Sequence, residues 1–115
     1  MFDKFILSRL SKDKLSILMF HKVPKARHVL YPDELDLHDF EQTIDYVQKQ
    51  FEILPLGEAV ERLGSKRLPR RAACITFDDG YTDWETGVIP LLLSRNLTAN
   101  FFINAGQFQG VPMWN

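Results

Sequence analysis

The sequence predicts a parallel α/β fold, because short apolar runs alternate with segments of helical periodicity along its 115 residues. Four runs have the length and composition of buried strands, at 15–20, 51–54, 72–77 and 97–103. Hydrophobic residues make up 45% of the chain and charged residues 25%, which is typical of one small domain with a buried core.

The first half of the chain predicts a strand, a loop and a helix. The strand Leu15–Phe20 delivers His21 to its C-terminal end, and the loop over 22–35 lacks any sustained periodicity. The helix is predicted from apolar residues at helical spacing, which are Phe40, Ile44, Val47 and Phe51. Asp36 is its expected N-cap, with Asp39 near the positive end of the helix.

The second half repeats the pattern. A short strand at 51–54 stops at Pro55, and a helix over 58–63 is expected to end with Gly64 as its C-cap. After the strand 72–77, Thr82 and Glu85 have the spacing of a capping box. Pro90 predicts a kink or a late start of the next helix, which leads into the strand 97–103.

Charge and cysteine content exclude several classes of function. The 14 basic and 15 acidic residues give a net charge of −1, so no nucleic-acid partner is expected. The basic run 66–71 contains no interleaved aromatic residue and predicts a solvated loop. The single cysteine, Cys74, rules out an internal disulfide and predicts a small buried core residue.

No apolar segment is long enough to be a transmembrane helix, and no signal peptide is recognisable, so a cytoplasmic location is expected.

Adjacent carboxylates, Asp78 and Asp79, follow the third strand directly and are succeeded by Gly80. Side chains at the C-terminal ends of parallel strands line the ligand crevice of such folds. Asp-Asp-Gly is also a good turn sequence, so spacing alone leaves both interpretations open. Two features favour a functional site: Thr76-Phe77 is a strand end rather than a hairpin arm, and a bound metal would relieve the like-charge repulsion.

The motif at 75–81, Ile-Thr-Phe-Asp-Asp-Gly-Tyr, resembles the first signature of the polysaccharide deacetylases, a carbohydrate esterase family related to chitooligosaccharide deacetylases. The segments 18–23, 51–63 and 98–103 resemble that family's preceding and following elements in the same order. The ending Met113-Trp114-Asn115 is most similar to exopolysaccharide-associated members. The resemblance implies the N-terminal portion of a single deacetylase domain over 1–115, with a distorted (β/α) barrel that is truncated here.

The resemblance also implies the chemistry. Asp78 matches the general base, and Asp79 matches a ligand of a divalent metal, usually zinc. The reaction is hydrolysis of N-acetyl groups on a hexosamine-containing polysaccharide or oligosaccharide. Tyr81 follows the motif, where its backbone N–H is placed to stabilise the oxyanion. His21 shares the rim of the acid pair; a structural role and a substrate-contacting role both stay open.

The chain departs from the family pattern in its histidines. The family's metal site uses a later His-(Ser/Thr)-x-x-His motif, whereas His21, His28 and His38 all precede the acids and no two have that spacing. A catalytic zinc normally takes three protein ligands. We therefore expect the isolated polypeptide to bind zinc weakly and to lack deacetylase activity.

Two alternatives to an enzyme of this family are considered. One is a non-catalytic remnant or interaction module, which the missing histidines favour. The other is a phosphoacceptor receiver domain, which is disfavoured because its acidic pair should follow the first strand, where this chain has His21-Lys22. Among the remaining candidates, His28 and His38 are expected to be exposed and Trp84 to pack in the core, while Trp114 stays open.

Overall fold

The computed structural model describes residues 13–78 and 84–103, and it has the predicted parallel α/β architecture. Four strands form one sheet: β1 (Leu15–Phe20), β2 (Glu52–Ile53), β3 (Ala72–Asp78) and β4 (Asn100–Phe102). Three helices connect them: α1 (Leu37–Gln50), α2 (Leu56–Gly64) and α3 (Ile89–Ser94), with the π-helical segment Trp84–Val88 directly before α3. All strand pairs are parallel.

The strand β3 is the centre of the sheet. It pairs with β1 along its length, from Leu15 opposite Ala72 to Phe20 opposite Phe77. Its start pairs with β2 and its end with β4. A strand has two edges, and β1 occupies one of them, so β2 and β4 share the other. β4 pairs with Thr76–Asp78 only and is shorter than the predicted strand 97–103.

The helix α1 begins where the sequence predicts. The Asp36 side chain accepts a hydrogen bond from the backbone N–H of Asp39, and the Asp39 side chain accepts one from the N–H of Asp36, which completes a capping box. The apolar stripe of α1 buries Phe40, Ile44 and Val47 against the sheet. The predicted helix, its N-cap and most of its apolar face are therefore confirmed, but the fourth predicted member of that face, Phe51, is the extended C-cap.

The helix α2 differs from the prediction at both ends. It begins two residues earlier, at Leu56, whose N–H donates to Asn100 Oδ1 at 3.0 Å. This partner replaces the side-chain cap that the N-cap residue Pro55 does not supply. Gly64 lies inside the helix and Ser65 is the C-cap; the positive φ of 57° that follows the helix belongs to Lys66.

The segment before α3 shows the predicted late start of an α-helix. Residues Trp84–Val88 are π-helical, and Pro90 lies in the first turn of α3, where its missing N–H costs nothing. A Cβ on Gly87 would lie 3.3 Å from Leu37 Cδ2, so glycine lets this segment pack close to α1. The proposed capping box involves Thr82, which lies outside the described residues.

Two apolar clusters flank β3. The larger one includes both aromatic and aliphatic side chains: Val23, Phe40, Ile44, Ile75, Phe77, Trp84, Val88 and Leu92. The smaller one lies under α2 and consists of Leu54, Ala59, Ala72 and Cys74. The predictions of a buried Cys74 and a packed Trp84 are confirmed. In the described ranges, no helix has the length and apolar character to span a membrane.

Candidate active site

Asp78 is the last residue of β3 and lies at the C-terminal edge of the sheet. It is opposite Phe102 in β4, and its side chain is 31% exposed, whereas the preceding residue, Phe77, is fully buried. The strand therefore carries Asp78 out of the core to a position where solvent or a ligand reaches the carboxylate. The sequence-based placement of Asp78 at a strand end is confirmed.

His21 comes to the same edge from β1. Phe20, the last residue of β1, is opposite Phe77, and His21 directly follows it, with its Nε2 3.8 Å from Asp78 Oδ2. This distance is too long for a direct hydrogen bond. A protonated imidazole would attract the carboxylate, but both side chains are partly exposed, so water screens the attraction.

Trp84 fixes the backbone at this edge. Its indole Nε1 donates to the carbonyl oxygen of His21 at 2.6 Å, and its ring is 4% exposed. The ring packs against Phe77 and Phe101, with centroid separations of 5.4 and 5.3 Å. The sequence predicted the packing of Trp84 but missed its bond to His21, because nothing in the local pattern links residues that far apart.

The predicted site residues divide into two groups. His21 and Asp78 are brought together, whereas Asp79 and Tyr81 lie outside the described residues. His28 and His38 are exposed, as predicted. His28 Nδ1 accepts a hydrogen bond from the Leu30 N–H within its own turn.

A metal site needs more donors than this part of the chain brings together. Within 13–78 and 84–103, no group of three or more His, Cys, Asp or Glu side chains is arranged to hold a metal ion. A catalytic zinc normally takes three protein ligands. The described residues therefore do not fit a zinc site by themselves.

An apolar surface lies on the same face of the sheet as Asp78. Ile17 and Met19 of β1 are opposite Cys74 and Thr76 in the parallel register, so their side chains project from this face. Ile17 is 51% exposed, Met19 60% and Phe102 51%. Parallel sheets are normally covered on both faces. The sheet surface beside Asp78 thus exposes apolar side chains that a fully covered sheet would bury.

Comparison with known proteins identifies the relationship. The sequence model of the family described as polysaccharide deacetylase matches residues 65–112, which span β3, the acid pair and β4. Over this segment the chain is similar to the polysaccharide deacetylases. The predicted resemblance is thereby confirmed. No curated protein matches the sequence significantly.

Solved deacetylase structures share the fold. IcaB from Ammonifex degensii is 27% identical, with a TM-score of 0.69 over 81% of this chain and 39% of IcaB. A de-N-acetylase from Aggregatibacter actinomycetemcomitans is 19% identical, with a TM-score of 0.65 over 76% of this chain and 36% of its own. The Streptococcus pyogenes deacetylase PplD, in complex with acetate, is 24% identical, with a TM-score of 0.67 over 88% of this chain and 47% of PplD.

These matches confirm the predicted fold class and show how much of the domain this chain covers. The parallel sheet of this chain corresponds to part of the domain in each solved structure. The chain spans less than half the length of any of the three.

Proposed function

We propose that this chain supplies the acid-pair part of a polysaccharide deacetylase centre, which hydrolyses N-acetyl groups on a hexosamine-containing polysaccharide or oligosaccharide. The observation that carries the proposal is the match of residues 65–112 to the family together with the exposure of Asp78 at the sheet edge. The similarity to a de-N-acetylase supports the amide chemistry. Acetate, which is bound to PplD, is the product that such a reaction releases.

Asp78 is the proposed general base. Its carboxylate is reachable from solvent, so it can accept a proton from a water molecule as that water attacks the acetyl carbonyl. The backbone N–H of Tyr81 is the proposed donor to the resulting oxyanion. His21 is the proposed substrate-contacting residue, because its half-exposed imidazole shares the rim with Asp78.

Asp79 is the proposed protein ligand of a divalent metal, zinc by family resemblance. When bound, such a metal polarises a carbonyl and lowers the pKa of water. The histidine pair that the family uses beside this acid is not among the 115 residues. We therefore propose that further donors complete the site, and that the isolated chain is inactive.

A chimera tests the proposal. Residues 13–103 would replace the matching part of Ammonifex degensii IcaB, which leaves the rest of that protein to complete the domain. We expect acetate release from N-acetylated hexosamine oligomers, and an Asp78→Asn change should reduce the rate by about a hundredfold or more, since general-base catalysis contributes about 10²–10⁴. Asp33→Asn, which alters an exposed loop carboxylate, should leave the rate unchanged.

The outcomes separate enzyme from non-enzyme. A chimera that unfolds cooperatively but releases no acetate, or one in which Asp78→Asn retains full activity, would contradict the assignment. Binding gives a second measurement on the natural chain: N-acetylated oligomers should perturb the NMR signals of His21 and Asp78, whereas oligomers without acetyl groups should perturb them less.

A non-catalytic interaction module is the second candidate, favoured by the open apolar surface of Ile17, Met19 and Phe102. Cooperative unfolding of the isolated chain, together with an inactive chimera, would support this candidate. Acetate release that depends on Asp78 would exclude it.

A further inference from the structure

The indole of Trp84 links the π-helical segment Trp84–Val88, which follows the acid pair in sequence, to the end of β1. The β1–β3 register ends with Phe20 opposite Phe77, so His21 lies one residue beyond the paired part of β1. Immediately beyond that register, the carbonyl of His21 accepts the 2.6 Å hydrogen bond from Trp84 Nε1. The bond thus holds the backbone from which the His21 imidazole projects.

The surroundings of Trp84 make this hold rigid. The ring is 4% exposed and lies against Phe77, which directly precedes Asp78, and against Phe101 of β4. Its position is therefore defined relative to both strands that end beside the carboxylate. Trp84 also begins a π-helical segment, a conformation that is rare and frequently found at functional sites.

The His21 imidazole lies close to the Asp78 carboxylate. The imidazole is 52% exposed, and its Nε2 is 3.8 Å from Asp78 Oδ2, beyond hydrogen-bonding distance. The imidazole is attached to the backbone that Trp84 holds through the His21 carbonyl. A shift of that backbone would change the separation directly.

We propose that Trp84 is a positioning residue: its indole N–H holds the His21 carbonyl and thereby sets the position of the imidazole relative to Asp78. The proposal rests on the proposed function, which gives that relative position its chemical purpose. A role in packing alone is the alternative, since the Trp84 ring is part of the larger apolar cluster.

Trp84→Phe separates these two roles, because phenylalanine keeps an aromatic ring in the cluster and removes the N–H donor. The readout is the change that Asp78→Asn causes in the His21 imidazole NMR signals of the natural chain at a fixed pH. We expect a clear change when Trp84 is present and a change less than half as large when Phe replaces it. Val88→Ala is the matched control, since Val88 is fully buried in the same cluster; it should lower the melting temperature and leave the His21 response intact.

An equal His21 response in the Trp84 and Trp84→Phe chains would overturn the proposal, as would an equal loss in Val88→Ala. If Trp84→Phe does not fold, Trp84 can be replaced by benzothienylalanine, an analogue that keeps the bicyclic shape of tryptophan and lacks the N–H. The second tryptophan is first changed to phenylalanine (Trp114→Phe), so that the analogue enters at position 84 alone. The same halving is expected there, and an unchanged response refutes the proposal. The experiment needs no turnover, so an inactive chimera with an intact His21 response would refute the function and leave the positioning role standing.

Discussion

Asn100 provides the sharpest test of how the sheet edge is held together. Its Oδ1 accepts the N–H of Leu56 at 3.0 Å, across 44 residues of sequence, and both groups are partly buried. Asn100→Ala removes the acceptor and leaves the first N–H of α2 without this partner. A capping side chain contributes about 1 kcal/mol, and an unsatisfied buried donor costs about 1–3 kcal/mol. Since the site is only partly buried, we expect a loss of about 1–2 kcal/mol.

Thermal and urea unfolding followed by circular dichroism measure this loss. For a domain of this size, it corresponds to a decrease in melting temperature of about 3–8 °C. Asn100→Asp is the matched control: it keeps an acceptor oxygen and adds negative charge near the positive end of α2, so its stability should stay within about 0.5 kcal/mol of the natural chain. Equal melting temperatures for the Ala and Asp variants would refute the argument that Asn100 caps the helix.

Three further predictions concern the reactivity of the thiol, the loss of stability at acidic pH and the metal content. Burial raises the pKa of the Cys74 thiol, so thiol reagents should label it only as the chain unfolds; labelling of the folded chain at the rate of free cysteine would contradict this. The bond from Arg27, followed by that from the Asp36 N–H, holds the pKa of Asp39 below its ordinary 3.8. The stability that Asp39 contributes is therefore present above about pH 4 and is lost as the pH falls through the lower folded-state pKa. In urea unfolding between pH 2 and 5, the free energy of unfolding should therefore fall less steeply with decreasing pH for Asp39→Asn than for the natural chain. The purified chain should contain zinc well below one ion per molecule by elemental analysis, and a stoichiometric content would contradict the expected lack of a complete site.

The elements that could be predicted from sequence are those whose signals are local. The run Leu15–Phe20 gave the bounds of β1, and Asp36 with Asp39 gave the start of α1, because strand composition and capping depend on neighbouring residues. The start of α2 could not be predicted, since its hydrogen-bond partner, Asn100, is far away in sequence. The length of β4 depended on its pairing with the end of β3, which no local pattern contains.

The same distinction applies to the candidate site. Asp78 was recognisable because the motif at 75–81 is contiguous, and its position at a strand end followed from the apolar run before it. The 3.8 Å approach of His21 required the register between β1 and β3, which no local pattern contains. The roles of all four predicted site residues, the metal and the cellular location stay predictions.

The central place of β3 also determines when this fold can form during synthesis. Leu15 pairs with Ala72, so β1 leaves the ribosome more than fifty residues before its partner. β2 likewise has to wait for Ala72 and Ala73. Contacts this distant in sequence slow folding, and unpaired apolar strands are prone to aggregate. A nascent chain that stalls before residue 72 therefore exposes two strands with no template, and a chaperone that covers apolar strands would protect it in this interval.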